Sequence, residues 1–398
     1  MPSYKYSVYN SAKRSGRRGQ SARSGGGKRR GEYINPARFV AVAKPTQASD
    51  YTAQHRFEDF EIDPIVRNNL KAKGFEVPSP IQDQTIPLGL SGRDVIGIAN
   101  TGTGKTAAFA VPIINALMTR QNAHALIVAP TRELAQQIEV ECRSIGKGGN
   151  FTGAVLIGGT GMGGQLRDLR QRPRLVIGTP GRIKDHLERG SLKLQHFNLI
   201  VLDEVDRMLD MGFVNDVTSI LKQLSPTRQS FFFSATMDPH VQGLIRTFSA
   251  DPETVSVKTG ESSDHINQDV VRYSGNHDKL DKLHDILLKE EVAKVIVFDE
   301  TQRSVEKLSN ELVARGFAAD AIHGGKTQGQ RQRALESFKR SKTNILVATD
   351  VAARGIDVVD ITHVINFSQP NSYQDYVHRI GRAGRAGRVG HALTFVNQ

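Results

Sequence analysis

Short apolar runs, often β-branched, recur along most of this 398-residue chain and restrict its possible folds more than any other feature. Each run is four to six residues long, and stretches of helical character separate the runs. Strands that are apolar throughout are buried on both faces, as in parallel sheets covered by helices. With right-handed crossovers, this pattern predicts an open α/β sheet. The runs in the first part of the chain are residues 94–98, 125–129, 175–178, 199–202 and 229–234.

The same alternation restarts in the second half of the chain, with strand-like runs at residues 295–298, 345–348 and 363–367. The chain is too long for one typical domain. The polar, Gly-containing stretch around residues 258–265 is the best candidate for a connection between domains. We therefore predict two α/β domains, residues 51–252 and 266–398, with a linker region at 253–265 and a cleft between the domains.

Positive charge is concentrated at the start of the sequence. The formal net charge is +12, and residues 1–50 hold 11 Lys/Arg against 2 Asp/Glu, a net of +9. These residues contain too few apolar side chains to bury a core, so we predict a disordered basic tail at 1–50. A more apolar segment, residues 34–42, could dock onto the body. Such a tail favours a polyanionic partner such as nucleic acid, although a solubilising role is equally compatible with charge alone.

Cysteine content and hydropathy indicate the compartment. Cys142 is the single cysteine, so no disulfide can form within the chain, as is typical of a reducing compartment. No run approaches the ~18 apolar residues of a membrane helix, and no apolar signal segment follows the basic start. The sequence predicts a cytoplasmic protein without a membrane partner.

A phosphate-binding loop directly follows the first strand-like run. Residues 99–106 read Ala-Asn-Thr-Gly-Thr-Gly-Lys-Thr, with Ala99 where the common pattern begins with Gly, and a helical stretch follows. Glycines let backbone N–H groups surround phosphate oxygens at a helix N-terminus. Lys105 would reach the terminal phosphates and the Thr106 hydroxyl would ligate Mg²⁺. The predicted nucleotide contacts are Thr101, Gly102, Thr103, Gly104, Lys105 and Thr106.

An acidic cluster follows the run at residues 199–202, where the chain reads Asp-Glu-Val-Asp. An acidic residue at a strand end beside a phosphate-binding loop is the expected partner of Mg²⁺. We assign this role to Asp203, acting through water, because Mg²⁺ keeps much of its hydration shell. Glu204 is placed to orient and deprotonate the attacking water. A solvated acidic turn is the alternative, and the preceding apolar strand argues against it.

Three arginines lie close together in residues 378–385, far downstream of the phosphate-binding loop. One or more could act as arginine fingers on the γ-phosphate. The run by itself could equally form a basic surface patch for RNA. Because these arginines belong to the second predicted domain, a finger role requires the two domains to close on each other.

These motifs, with others in the same order and at fitting spacing, resemble the DEAD-box RNA helicases of superfamily 2 over about residues 57–396. The resemblance implies two tandem RecA-like domains with an inter-domain cleft. It also implies an RNA-stimulated, ATP- and Mg²⁺-dependent helicase that unwinds short RNA duplexes locally or remodels ribonucleoproteins. Val205 replaces the Ala of the family motif. Both catalytic carboxylates remain, so we expect this change to affect the kinetics of the reaction and not to abolish activity.

The resemblance also assigns roles around the nucleotide. Residues 74–82 resemble the Q motif, in which Gln82 would read the adenine edge and Phe57 would stack on the base. Arg382 and Arg385 match the fingers of the family, and Asp357 would meet the ATP ribose or the coupling network. Coupling between the ATP and RNA sites would involve Ser234, Thr236 and His378.

RNA-facing motifs of the family match loops that follow predicted strands in both domains. Contacts mostly to phosphate and 2′-OH imply that RNA is bound with little sequence preference. We also expect the protein to be a monomer. The RNA-binding residues implied by the resemblance are Pro130, Thr131, Arg132, Gly158, Gly159, Thr179, Gly181, Arg182, Gly324, Gln328, Arg331 and Thr349.

Two other functions stay open from the sequence. A DNA-translocating helicase would share much of this chemistry, but the Q motif and the acidic motif favour RNA. A non-enzymatic RNA chaperone would bind through the tail, but the complete set of Lys105, Asp203, Glu204, Arg382 and Arg385 favours an active enzyme. A GTPase is disfavoured because no Asn-Lys-x-Asp element is evident.

Overall fold

The computed structural model describes residues 33–44, 51–100, 102–249, 251–257, 265–353, 356, 358, 360–384 and 388–398. It contains two separate parallel β-sheets with helices packed on them, as the recurring apolar runs predict. Within these ranges, no helix combines the length and the apolar character needed to cross a bilayer.

The first sheet has seven strands in the order β3-β4-β2-β5-β6-β1-β7, and the strand pairs are parallel. The order places β1 and β5 on either side of β6, so the loops that follow these strands share one edge of the sheet. The strands are β1 (Val95–Ile98), β2 (Ala125–Val128), β3 (Gly153–Leu156), β4 (Leu175–Gly178), β5 (Leu199–Leu202), β6 (Gln229–Ser234) and β7 (Glu253–Ser256).

Helices cover both faces of this sheet. Successive residues of β2 enter opposite cores, because Ile127 packs in one apolar cluster while Leu126 and Val128 pack in the other. This double burial explains why the strands read as continuous apolar runs. The helices are α1 (Pro64–Ala72), α2 (Pro80–Leu90), α3 (Lys105–Thr119), α4 (Arg132–Ile145), α5 (Met162–Arg170), α6 (Pro180–Glu188), α7 (Val205–Asp210), α8 (Val214–Leu221) and α9 (Pro239–Phe248).

The second sheet has six parallel strands in the order β10-β11-β9-β12-β13-β8. Its strands are β8 (Ile266–Tyr273), β9 (Val295–Phe298), β10 (Ala319–Ile322), β11 (Ile345–Ala348), β12 (His363–Asn366) and β13 (Gly390–Asn397). Its helices are α10 (Gly275–Leu287), α11 (Gln302–Ala314), α12 (Gln328–Lys339), α13 (Asp350–Ala353) and α14 (Tyr373–Ile380).

The predicted linker begins too early in the sequence. Residues Glu253–Ser256 form β7, which pairs with β1 at the edge of the first sheet. The prediction missed this strand because only one of its side chains, Val255, is buried, as suits a short edge strand. Residues 258–264 of the predicted linker lie outside the described residues.

Within the predicted disordered tail, residues 33–44 are ordered, and the expected docking of residues 34–42 is confirmed; we call residues 33–44 the N-terminal strap. Although the strap precedes the first domain in sequence, it packs on the second domain. Phe39 and Ile34 are buried in the apolar cluster that contains Ile266 and Tyr376. Burial of two such side chains contributes roughly 3–6 kcal/mol, which offsets part of the entropic cost of ordering the segment. Residues 1–32 and 45–50 lie outside the described residues.

Candidate functional site

The phosphate-binding loop connects β1 to α3, as its sequence predicts. Gly102 and Gly104 have φ values of +86° and +95°, a region that favours glycine, and Lys105 opens the helix. The Lys105 ammonium is buried and donates a hydrogen bond of 2.9 Å to the Ala99 carbonyl. The loop therefore presents a helix N-terminus and a buried cation to the same space. Thr101 of this motif lies outside the described residues.

The Q-motif side chains hold the loop from the other side. Gln82 donates from Nε2 to the Gly104 carbonyl at 3.1 Å, and Ser79 donates to the Thr103 carbonyl at 2.8 Å. A Cβ on Gly104 would lie 2.4 Å from Gln82 Nε2, so glycine is needed here for close approach as well as for its φ angle. Gln82 thus lies against the phosphate-binding loop.

Phe57 is buried rather than presented on a surface. Its ring contacts Phe60 and Phe75 edge-on, with centroids 5.6 and 5.1 Å away. Phe57 starts a short 3₁₀ helix, Phe57–Asp59, whose backbone is held to the Q motif by a hydrogen bond from Phe57 N to the Glu76 carbonyl. Stacking of Phe57 on a base stays a prediction.

The acidic motif follows β5, as predicted. Burial raises the pKa of Asp203 to about 7, although the nearby Lys105 cation acts to lower it. Glu204 has φ = +52°, a strained conformation for a residue with a side chain, of the kind found at functional sites. Both carboxylates are almost fully buried. Val205 is also buried, and it packs in the core of the first domain.

Asp206 joins the acidic motif to the end of β6. Its Oδ2 accepts hydrogen bonds from the backbone N–H groups of Ala235 and Thr236 at 3.2 and 3.1 Å. The Thr236 hydroxyl donates to the same oxygen at 3.3 Å, and Asp206 N donates to the Ser234 hydroxyl at 3.4 Å. Ser234 and Thr236, predicted as coupling residues, are therefore in direct contact with the motif that carries the carboxylates.

The arginines of the second domain have separate environments. Arg379 makes a bidentate ion pair with Asp350 at 2.6 and 2.7 Å and so supports the domain internally. Arg382 is buried and donates to the Ile356 carbonyl at 3.0 Å. With His378 it lines a small crevice that also includes Arg207 of the first domain. Arg385 and Asp357 lie outside the described residues.

A groove with a volume of about 420 Å³ crosses from one domain to the other. Most of the predicted RNA-binding residues of the first domain line it, which places motifs distant in sequence on one surface. Beside it, the guanidinium of Arg132 covers Gly159, where an added Cβ would lie 2.1 Å from it. The predicted residues that line the groove are Pro130, Thr131, Arg132, Gly158, Thr179, Gly181, Arg182, Gly324 and Arg331.

Gln328 and Arg331 form a contact between the two domains. Arg331 pairs with Glu133 at 2.9 Å, and Gln328 Nε2 donates to Gln136 Oε1 at 3.1 Å. Arg331, Glu133 and Gln328 are almost fully buried. Thr349 caps the turn after β11, where its carbonyl accepts a hydrogen bond from Ala353 N at 2.9 Å.

Sequence reasoning missed several residues at these sites. Met211 and Phe213 line the groove. The sequence signal that could have pointed to them is that they form an apolar pair on either side of Gly212, just after the acidic motif. Asp83 is buried next to Gln82, and no motif pointed to its partners. Its carboxylate accepts hydrogen bonds from the Tyr51 hydroxyl and from Gln54 N, at 2.5 and 2.7 Å.

The fold and the site together define a P-loop ATPase with two RecA-like domains and a groove between them. The sequence model of the family described as "DEAD/DEAH box helicase" matches residues 79–244, and "Helicase conserved C-terminal domain" matches residues 278–387. The chain belongs to the DEAD-box ATP-dependent RNA helicases, enzymes that hydrolyse ATP.

Curated relatives support this assignment over most of the chain. The chain is 44% identical over 343 residues to "ATP-dependent RNA helicase CshA" of Limosilactobacillus reuteri, which covers 86% of this chain and 69% of the relative. It is 43% identical over 341 residues to "DEAD-box ATP-dependent RNA helicase CshA" of Bacillus subtilis (strain 168), covering 85% and 69% respectively.

Solved structures of the family share both domains. Dbp5 of S. cerevisiae bound to RNA and ADP BeF3 is 28% identical, with a TM-score of 0.75 over 86% of this chain and 89% of that one. Mss116p bound to ssRNA and AMP-PNP is 29% identical, with a TM-score of 0.76 over 90% of this chain and 77% of that one.

Proposed function

We propose that this chain is an RNA-stimulated ATPase that separates short RNA duplexes, or remodels ribonucleoproteins, by closing its two domains on one strand. The observation that carries the proposal is the groove whose walls come from both domains. A strand bound there would hold the domains together. A groove fitted to one bent strand would exclude a duplex, so closure would separate the strands locally.

The loop between β1 and α3 would bind the phosphates of ATP, and Lys105 would neutralise the terminal phosphates. The chemistry of this site suits Mg²⁺, because the buried Asp203 carboxylate and the Thr106 hydroxyl both offer oxygen atoms as ligands. With only these two protein ligands, coordination positions would remain for water and phosphate. Bound Mg²⁺ would stabilise the charge that develops on the phosphate oxygens. Glu204 would orient the attacking water and accept its proton.

The remaining nucleotide contacts come from both domains. We assign the adenine edge to Gln82 and stacking to Phe57, the ribose to Asp357, and further phosphate contacts to residues 101–104. Arg382 and Arg385 would reach the γ-phosphate as fingers, and His378 would take part in coupling. Because the fingers and the phosphate-binding loop belong to different domains, hydrolysis would depend on closure.

RNA would be held mainly through its backbone. The N-termini of α4 and α6 face the groove beside Thr131 and Thr179, so their free N–H groups can bind phosphates. Arg132 and Arg182 add positive charge. Contacts of this kind predict low sequence preference, and the assignments of Gly159, Gln328 and Thr349 as RNA contacts stay predictions.

Steady-state hydrolysis of Mg-ATP by the purified chain tests the proposal, without nucleic acid, with single-stranded RNA and with DNA of the same sequence. Stimulation by RNA alone supports it. Equal stimulation by DNA would favour a DNA-translocating helicase. Annealing of RNA strands without any hydrolysis would favour an RNA chaperone.

Replacement of the proposed base tests the chemistry. We expect Glu204→Gln to lower the hydrolysis rate ~10²- to 10⁴-fold, the usual contribution of a general base, while ATP binding persists. Glu188→Gln, at the end of α6, is the matched control and should hydrolyse ATP normally. Hydrolysis by Glu204→Gln at the wild-type rate would remove Glu204 from this role.

The basic residues ahead of the strap would add general RNA affinity. We propose that the protein acts as a cytoplasmic monomer. We also propose that residues 1–32 bind RNA phosphates electrostatically, so the affinity for RNA should fall as the salt concentration rises. Deletion of residues 1–32, which leaves the strap intact, should weaken RNA binding and flatten its salt dependence. Unchanged affinity and an unchanged salt slope would contradict this role.

A further inference from the structure

The N-terminal strap is held on the second domain by several kinds of contact. Phe39 is buried with its ring centroid 4.7 Å from that of Tyr376, and the Arg38 guanidinium lies 3.6 Å from the centre of the Tyr373 ring. Ala41 and Gln268 exchange two backbone hydrogen bonds of 3.0 and 2.7 Å. The strap therefore pairs with the outer edge of β8, which would otherwise expose unpaired backbone groups.

The first described residues after the strap are fixed to the Q motif of the first domain. Tyr51, Gln54 and His55 all bind the carboxylate of Asp83, and His55 Nδ1 lies 2.7 Å from Asp83 Oδ1. Asp83 follows Gln82 in α2 and is almost fully buried. These hydrogen bonds hold the pKa of the Asp83 carboxyl below its usual value even though its burial acts to raise it. Residues 51–55 are thus anchored to the first domain.

The connection between the two anchors is short. Only residues 45–50 separate Lys44 from Tyr51, and a fully extended chain gains at most ~3.3–3.6 Å per residue, so these two residues can lie at most ~25 Å apart. As long as the strap stays docked, Tyr51 and the part of the first domain anchored to it cannot move farther than this from the end of the strap.

The strap and the inter-domain linker reach the second domain at the same place. The linker runs from Val257 to the start of β8 at Ile266, and the strap pairs with β8 two residues later. On the first domain, by contrast, one connection begins at Tyr51 and the other follows β7. A single connection limits only the distance between its two ends, whereas two connections with different anchors also restrict rotation of the domains.

We propose that residues 33–44 are a docking element for the second domain, and that the docked strap is a second tether that keeps the open enzyme close to its closed arrangement. The strap would raise the effective concentration of the second domain at the ATP and RNA sites. This inference concerns domain separation and does not depend on which nucleic acid the enzyme uses.

The test lengthens the tether while leaving every described contact intact. About 20 Gly/Ser residues are inserted between Lys44 and Tyr51, and the matched control carries the same insertion just before Tyr33. Single-molecule energy transfer reports the domain separation, with dyes on Val140→Cys in α4 and Val313→Cys in α11, both exposed positions. Cys142 is fully buried, which raises the pKa of its thiol and protects it from labelling.

In the absence of nucleotide, the lengthened tether should produce a low-transfer population that neither the wild type nor the control insertion shows. The RNA concentration for half-maximal ATPase stimulation should rise ~2- to 8-fold, since effective concentration falls roughly as the −3/2 power of tether length. Identical distance distributions for all three proteins would overturn the proposal.

A second pair of variants tests the docking itself. Phe39→Ala removes the buried anchor of the strap, whereas Val42→Ala changes a side chain of the strap that is 84% exposed. We expect Phe39→Ala alone to reproduce the low-transfer population. If Phe39→Ala folds and keeps the wild-type distribution, the strap does not act as a tether.

Discussion

At the scale of single residues, burial gives one histidine an unusual titration. His363 of β12 is almost fully buried and stacks on His391 of β13, with ring centroids 4.7 Å apart and planes 13° from parallel. Burial, and secondarily the proximity of His391, lowers the pKa of His363 to about 4. A histidine held neutral in this way makes the folded protein sensitive to acid.

His363 should account for a measurable part of that sensitivity. Its folded pKa lies below the unfolded value near 6.5, so the unfolded state gains its proton first as pH falls, and stability is lost between about pH 6.5 and 4. Between about pH 7.5 and pH 5 the wild type should lose about 2 kcal/mol of unfolding free energy through this group. Urea denaturation of His363→Gln at both pH values should show a correspondingly smaller loss.

The control for this prediction is His196→Gln. His196 is exposed between α6 and β5, so the same measurement on this variant shows the effect of replacing a surface histidine. An equal loss of stability on acidification in the wild type and in His363→Gln would mean that other groups control the acid response.

At the scale of elements, the central strands are packed so closely that one position requires glycine for space alone. Gly97 of β1 faces the ring of Phe233 on β6, and a Cβ at this position would lie 2.4 Å from that ring. The phosphate-binding loop begins two residues after Gly97, so packing at this strand also positions the ATP site.

Gly97→Ala should destabilise the first domain by about 1–3 kcal/mol, the usual cost of overpacking a core. The matched substitution is Gly243→Ala in α9, where an added Cβ meets nothing within 4 Å and alanine should stabilise the helix by roughly 0.5–1 kcal/mol. The free energy of unfolding in urea distinguishes the two variants. A neutral effect of Gly97→Ala would show that Phe233 moves aside without cost.

At the scale of the whole molecule, a buried ion pair joins the two domains. Glu133 lies in the first turn of α4 of the first domain, and Arg331 comes from α12 of the second. Removal of one member of a buried pair leaves the other charge without compensation and costs about 3–5 kcal/mol. This cost applies only to the closed arrangement, because an open cleft returns both groups to water.

Arg331→Gln should therefore raise the RNA concentration for half-maximal ATPase stimulation at least ~10-fold, since 1.4 kcal/mol changes an equilibrium constant tenfold. Arg333→Gln, an exposed change on the same helix, should leave that concentration unchanged. The double variant Glu133→Gln/Arg331→Gln should recover part of the loss. No recovery would mean that Arg331 acts through RNA and not through Glu133.

Sequence by itself determined the two α/β domains, the phosphate-binding loop and the acidic motif. These features are local: an apolar run dictates a buried parallel strand, and the loop that follows it must emerge at the strand end. Two observed contacts agree with motifs that were identified by their resemblance to the family. Gln82 lies close to Gly104, and Ser234 and Thr236 contact Asp206.

Only the tertiary structure decided how distant segments meet. Gln328 and Glu133 lie 195 positions apart, and Ala43 and Asn267 lie 224 apart, so no local pattern relates either pair. Packing, and not residue type, gave Gln328 and Arg331 an inter-domain contact and left Phe57 in a core. It also placed the N-terminal strap on the second domain, where the edge strand β8 pairs with its backbone and the adjacent apolar cluster buries Phe39.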